Sequence, residues 1–179
     1  MKLDRLESTL TEMIKEQQMK LGYEKETVRF YFQETSIDAF LGLPYSTDWT
    51  DAQVSSLQEK MRKQAGGTLG ELVITKKGKR FCVTIPPEGS AYVHQHVKEN
   101  PFLGEMIQLF QCHHVELAEV QALFERYGAY RCEKADGTEF DYLFYFLAED
   151  VDNWYYCLKF DAGHASYHRF TKEDLETVL

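Results

Sequence analysis

The chain holds six histidines, and they fall in three pairs. Neutral imidazole is a common metal ligand, so these pairs come first. His94 and His96 lie two apart, which on a strand would put them on one face. His164 and His168 lie four apart, on one face of a later strand. His113 and His114 are neighbours at a helix junction and point apart. A zinc site needs three or four converging ligands. There is no His-Glu-x-x-His, and the cysteines at 82, 112, 132 and 157 are spread singly. The expectation is no metal and no cofactor. If a metal were bound, His94, His96, His164 and His168 would supply the ligands, in a small metal-assisted enzyme.

The other reactive groups give weaker patterns. Glu149, Asp150 and Asp152 open with the spacing of a calcium loop but lack its glycine and its distal glutamate. They read as a solvated acidic connection. Cys112 precedes His113, yet adjacent residues on a helix diverge and cannot act as a nucleophile and its base. Gly66-Gly67-Thr68-Leu69-Gly70 follows a helix, whereas a phosphate loop normally follows a strand. It reads as a helix stop.

The elements that would position these residues can be read in order. Leu3, Leu6, Leu10, Met13, Ile14 and Leu21 recur at helical spacing, so residues 2–20 form an amphipathic helix. Residues 28–32 form a short aromatic strand, and Ser36 caps a short helix ending at Leu41. Thr50 and Gln53 make a capping box for a helix over 51–64. Residues 71–76 and 79–85 form a hairpin, expected to be buried on both faces. Pro86-Pro87 ends it. Asn100-Pro101 starts a helix to Gln111, and a second helix spans 115–127.

Residues 130–170 read as two hairpins. The first turns at Asp136-Gly137 as a two-residue loop, with Lys134 opposite Glu139. The second turns on a three-residue loop, Asp161-Ala162-Gly163. That register buries Trp154, Tyr156, Leu158 and Phe160 with His164, Ser166, His168 and Phe170. The opposite face then carries Tyr155, Cys157, Lys159, Tyr167 and Arg169. Tyrosine and arginine are enriched at interaction hot spots, so Tyr155, Tyr167 and Arg169 are the candidate partner-binding residues. Coverage by a helix of the same chain is the plainer alternative. An exposed terminal strand could also pair in a homodimer. Thr171 caps a final short helix.

Helices and hairpins in blocks imply an α+β fold with a mainly antiparallel sheet and about five helices. The 179 residues are expected to form one domain, a division near residue 100 being the alternative. A net charge of −9 works against nucleic acid and against anionic membranes. Single cysteines suit a reducing cytosol. No stretch is long and apolar enough to span a bilayer.

Three stretches, residues 21–32, 80–89 and 167–174, resemble a conserved Firmicutes family of unknown function. That resemblance implies a bacterial cytosolic source and brings no activity or site residues. The residues themselves favour a non-catalytic binding or regulatory protein with an unknown protein partner. An acidic immunity-type protein is one concrete form. The alternatives are the metal-assisted enzyme and a winged-helix-like DNA-binding regulator. Residues 101–147 follow the element order of such a regulator, but its second helix would expose Glu116, Glu119 and Glu125.

Overall fold

The computed structural model describes residues 1–178 except 46 and 113. It divides into two compact units, Met1–Lys98 and Glu99–Leu179.

The first unit begins with α1 (Leu3–Leu21), followed by β1 (Val28–Gln33), α2 (Glu34–Leu41) and α3 (Asp51–Ala65). β2 (Val73–Lys77), β3 (Arg80–Ile85) and α4 (Pro87–His96) complete it. The apolar stripe of α1 is what makes it a packing helix. Leu6, Leu10 and Ile14 are fully buried, each contributing about 1.5–3 kcal/mol. Thr50 and Gln53 form the expected capping box on α3. The strands form an antiparallel sheet in the order β1-β3-β2. Its inner face, with Ile74, Phe81, Val83 and Ile85, joins the helices in one core.

One expectation for this unit is corrected and one helix is added to it. The β2–β3 hairpin is buried on one face only, because Val73, Thr75 and Lys77 are exposed. Pro86-Pro87 ends the strand and also starts a helix. Pro87 occupies the first turn of α4, where its missing N–H is no loss.

The second unit runs α5 (Pro101–Gln111), α6 (Leu117–Tyr127), β4 (Tyr130–Lys134) and β5 (Tyr142–Phe146). β6 (Tyr155–Asp161), β7 (His164–Phe170) and α7 (Lys172–Val178) follow. Asn100 caps α5 by accepting from the Leu103 N–H at 3.3 Å. The sheet is antiparallel in the order β4-β5-β6-β7. Phe102 and Phe124 pack edge-on and tilted against Phe146 and Tyr156 on its inner face. The fold is α+β with two antiparallel sheets and seven helices among the described residues.

Both turns of this sheet differ from the sequence reading. Lys134 faces Tyr142, not Glu139, so the first loop is longer than two residues. Gly137 takes φ 84° while Asp136 does not take positive φ, so the pair does not form the type I′ turn usual for a two-residue Asp-Gly loop. The second loop is shorter than expected. Asp161 pairs with His164, leaving Ala162 (φ 43°) and Gly163 (φ 88°) as a two-residue turn. Two successive positive φ values are what a type I′ turn requires.

Candidate functional site

That one-residue difference in the loop moves every β7 side chain to the other face. Leu158 pairs with Tyr167 and Tyr156 with Arg169. Tyr167 and Arg169 therefore share the inner face with Tyr156. Tyr155 lies on the outer face, opposite Phe170. The structure does not bring Tyr155, Tyr167 and Arg169 together as one surface. On β6 itself, Tyr156 and Leu158 are fully buried, Trp154 is buried, and Lys159 is exposed. Phe160 is only half-buried, and Cys157 is fully buried against Phe140, Leu143 and Leu175. A helix of the same chain, α7, thus covers part of the outer face. Tyr167 packs edge-on against Phe110 of α5.

His94 and His96 lie on α4, not on a strand, so two residues apart they diverge. His94 stacks on Tyr23 at 4.0 Å and His96 on Tyr92 at 4.4 Å. His164 and His168 sit exposed on β7. Among the described residues no group of three or more His, Cys, Asp or Glu converges to hold a metal. The Cys112–His113 pair involves His113, which lies outside the described residues.

The acidic connection is only partly solvated. Glu149 and Asp150 are exposed, but Asp152 is buried. Its Oδ1 accepts from the Trp154 N–H at 2.8 Å. Its Oδ2 accepts from the Tyr156 hydroxyl at 2.9 Å and from Asn100 Nδ2 at 2.7 Å. Asn100 thus caps α5 and anchors the loop with one side chain. Arg169 lies over the Trp154 ring, 4.3 Å from its centroid. Burial raises the Asp152 pKa, and the Trp154 amide, Arg169, Tyr156 and Asn100 pull against that rise. Burial, then the Asp152 charge, holds the Tyr156 phenol well above its usual range. Tyr156 is fully buried and donates to Asp152, so the cluster ties the β5–β6 connection to α5. The spacing Asp152-x-Trp154-x-Tyr156 carried this signal, which the charge pattern of the neighbours obscured.

One exposed surface was not singled out in the sequence, the outer face of the first sheet. At its middle, Tyr31, Cys82 and Thr75 stand side by side across the three strands. Towards one end the row is Gln33, Arg80 and Lys77, and towards the other Arg29, Thr84 and Val73. Tyr31 is 68% exposed, and Arg29, Lys77 and Arg80 are exposed. No Asp or Glu occupies any of these positions. The nearest acids in sequence are engaged elsewhere, Glu34 with Lys76 at 2.6 Å and Glu71 with Arg62 at 3.2 Å. The β2 edge is closed by α3. Gln58 Oε1 accepts from the Ile74 N–H at 3.1 Å, and Arg62 Nε donates to the Leu72 carbonyl at 3.3 Å. The face, not that edge, is what the sheet presents.

Charge also separates along the chain. Residues 1–98 hold fourteen Lys and Arg against thirteen Asp and Glu. Residues 99–179 hold six against sixteen, so the second unit accounts for the acidity of the whole. No helix of the described residues is long and apolar enough to cross a membrane.

Comparison with curated proteins gave no match, and neither did comparison with solved structures. A family model matches residues 3–179, described as "Domain of unknown function, E. rectale Gene description (DUF3877)". The chain belongs to that family, which is the Firmicutes group of unknown function that the three stretches resemble.

Proposed function

We propose that this chain is a non-catalytic binding protein of the bacterial cytosol, and that it binds through the open face of the first sheet. One observation carries the reading: an exposed tyrosine at mid-strand and three exposed cations on one sheet face, none of whose strand positions is Asp or Glu. Large exposed aromatic and arginine side chains are the residue types that dominate binding energy at protein interfaces. Four free cysteines suit a reducing compartment. The buried Asp152 cluster, whose lone pairs are taken up by internal donors, supports a structural role for the most chemically suggestive residues.

The test is the native size of the tagged full chain in cleared lysate of its host. The wild type should elute in a complex above its own 20.9 kDa. A Tyr31→Ala/Arg80→Glu variant with unchanged circular dichroism should elute at the mass of the free chain. A wild type that elutes alone, or a variant that keeps the complex, contradicts this reading.

The acidity of the second unit supports a second form of the same reading. As an acidic immunity-type protein, it would neutralise a basic partner through residues 99–179. A neighbouring gene for a secreted toxin is expected on that form, and its absence beside family members would contradict it. The enzyme and DNA-reader alternatives draw on less. Of the four candidate ligands, His94 and His96 belong to the first unit and His164 and His168 to the second, and α6 exposes Glu119 and Glu125 where phosphates would need cations.

A further inference from the structure

We propose that the open face of the first sheet takes an acidic segment of another protein, with Tyr31 packed at the middle of the contact and Arg29, Lys77 and Arg80 pairing its carboxylates. This rests on the binding reading above and adds the chemistry of the partner. The cations stand in the outer rows, while the middle row is Tyr31, Cys82 and Thr75. A neutral, aromatic centre with charge around it is the anatomy of a protein contact. Rim charges of one sign select a partner of the other and speed its encounter.

Two other occupants fit less well. A second copy docked face to face would set three cations against the same three, since an isologous contact repeats one patch on both partners. A single-stranded nucleic acid stacks successive bases on successive aromatics. Among the described residues the three strands place one aromatic on this face, Tyr31, because Phe30 and Phe32 of the same strand point to the other side, where Phe32 packs edge-on against Phe40.

The experiment is an amide NMR titration of the isotope-labelled full chain with two probes of equal charge, an oligo-glutamate and an oligouridylate. The oligo-glutamate should shift amides of β1, β2 and β3. Its affinity should fall ~10-fold or more in Arg29→Glu/Arg80→Glu and again in Tyr31→Ala, with other amides unmoved. Tighter binding of the oligouridylate to the same amides would overturn the proposal in favour of nucleic acid. Concentration-dependent shifts on the face without a probe would overturn it in favour of a second copy. If neither probe touches the face while the lysate complex still depends on Tyr31 and Arg80, the binding reading stands and the acidic partner falls.

Discussion

Asp152 accepts from three donors inside the second unit, so its removal strands all three. Asp152→Ala should cost about 3–5 kcal/mol, the range for breaking a buried charged cluster from one side. Asp152→Asn keeps the volume but turns one acceptor into a donor facing Asn100, and should cost about 1–3 kcal/mol. Urea melts read both, and losses below about 1 kcal/mol for either would mean that the loop is held by other contacts. The pH dependence has a definite sign. Burial raises the Asp152 pKa, so the folded state holds that proton more tightly than the unfolded chain. The resulting stability is fully present below the unfolded pKa and is lost as pH rises through the folded one. Asp38, buried and accepting from Trp49 Nε1 at 2.8 Å, is raised by burial in the same direction. Stability should therefore decline as pH climbs through the range just above an ordinary carboxylate pKa. Asp152→Asn should shrink that decline, and an unchanged slope would show that Asp152 does not carry it.

The turns and helix ends make the next predictions. Ala162 sits at φ 43° ahead of Gly163 in a turn that prefers Asn-Gly. Ala162→Asn should stabilise by about 1 kcal/mol, by relieving a left-handed alanine. A lower melting temperature would contradict the two-residue turn. Gly89 opens α4 against the Leu69 carbonyl, and an added Cβ would press on that oxygen and on Ile85 Cγ2. Gly89→Ala should cost about 1–3 kcal/mol, since backbone on one side cannot swing away. The same elements show what the sequence could reveal. Three caps were legible because their chemistry is local: Thr50 with Gln53, Asn100 before Pro101, and Thr171 accepting from the Asp174 N–H, whereas Ser36 lies inside α2, which starts at Glu34 after Gln33. The inner positions of β6 were legible through their alternation. Those of β7 were not, because a strand rich in His, Ser and Tyr has no apolar phase of its own and took its register from a miscounted turn. The open face was written in the alternation of Arg29, Tyr31 and Gln33 against Val28, Phe30 and Phe32. Assembling it required the β1–β3 pairing. That joins strands separated by two helices and β2, which no local signal specifies.

Across the whole molecule, acidity and cationic binding chemistry belong to different stretches of chain. The overall charge of −9 argues against a polyanionic partner, yet it resides in residues 99–179. The open face belongs to residues 1–98, where acids and bases nearly balance and no strand position of the face is an acid. Exposed charges farther apart than about 8 Å are largely screened at physiological salt, so local composition governs what that face attracts. Binding through it should weaken steeply with added salt and leave melting temperature almost unchanged in the charge-reversal variants. The most direct measurement is photo-crosslinking in the host cell, with the crosslinker placed at Thr75 on the face or at Lys60, an exposed position on α3. Thr75 should give a discrete protein adduct that disappears with Arg29→Glu/Arg80→Glu, and Lys60 should not. Equal labelling from both positions, or a Thr75 adduct indifferent to the charge reversal, would contradict binding at the sheet face.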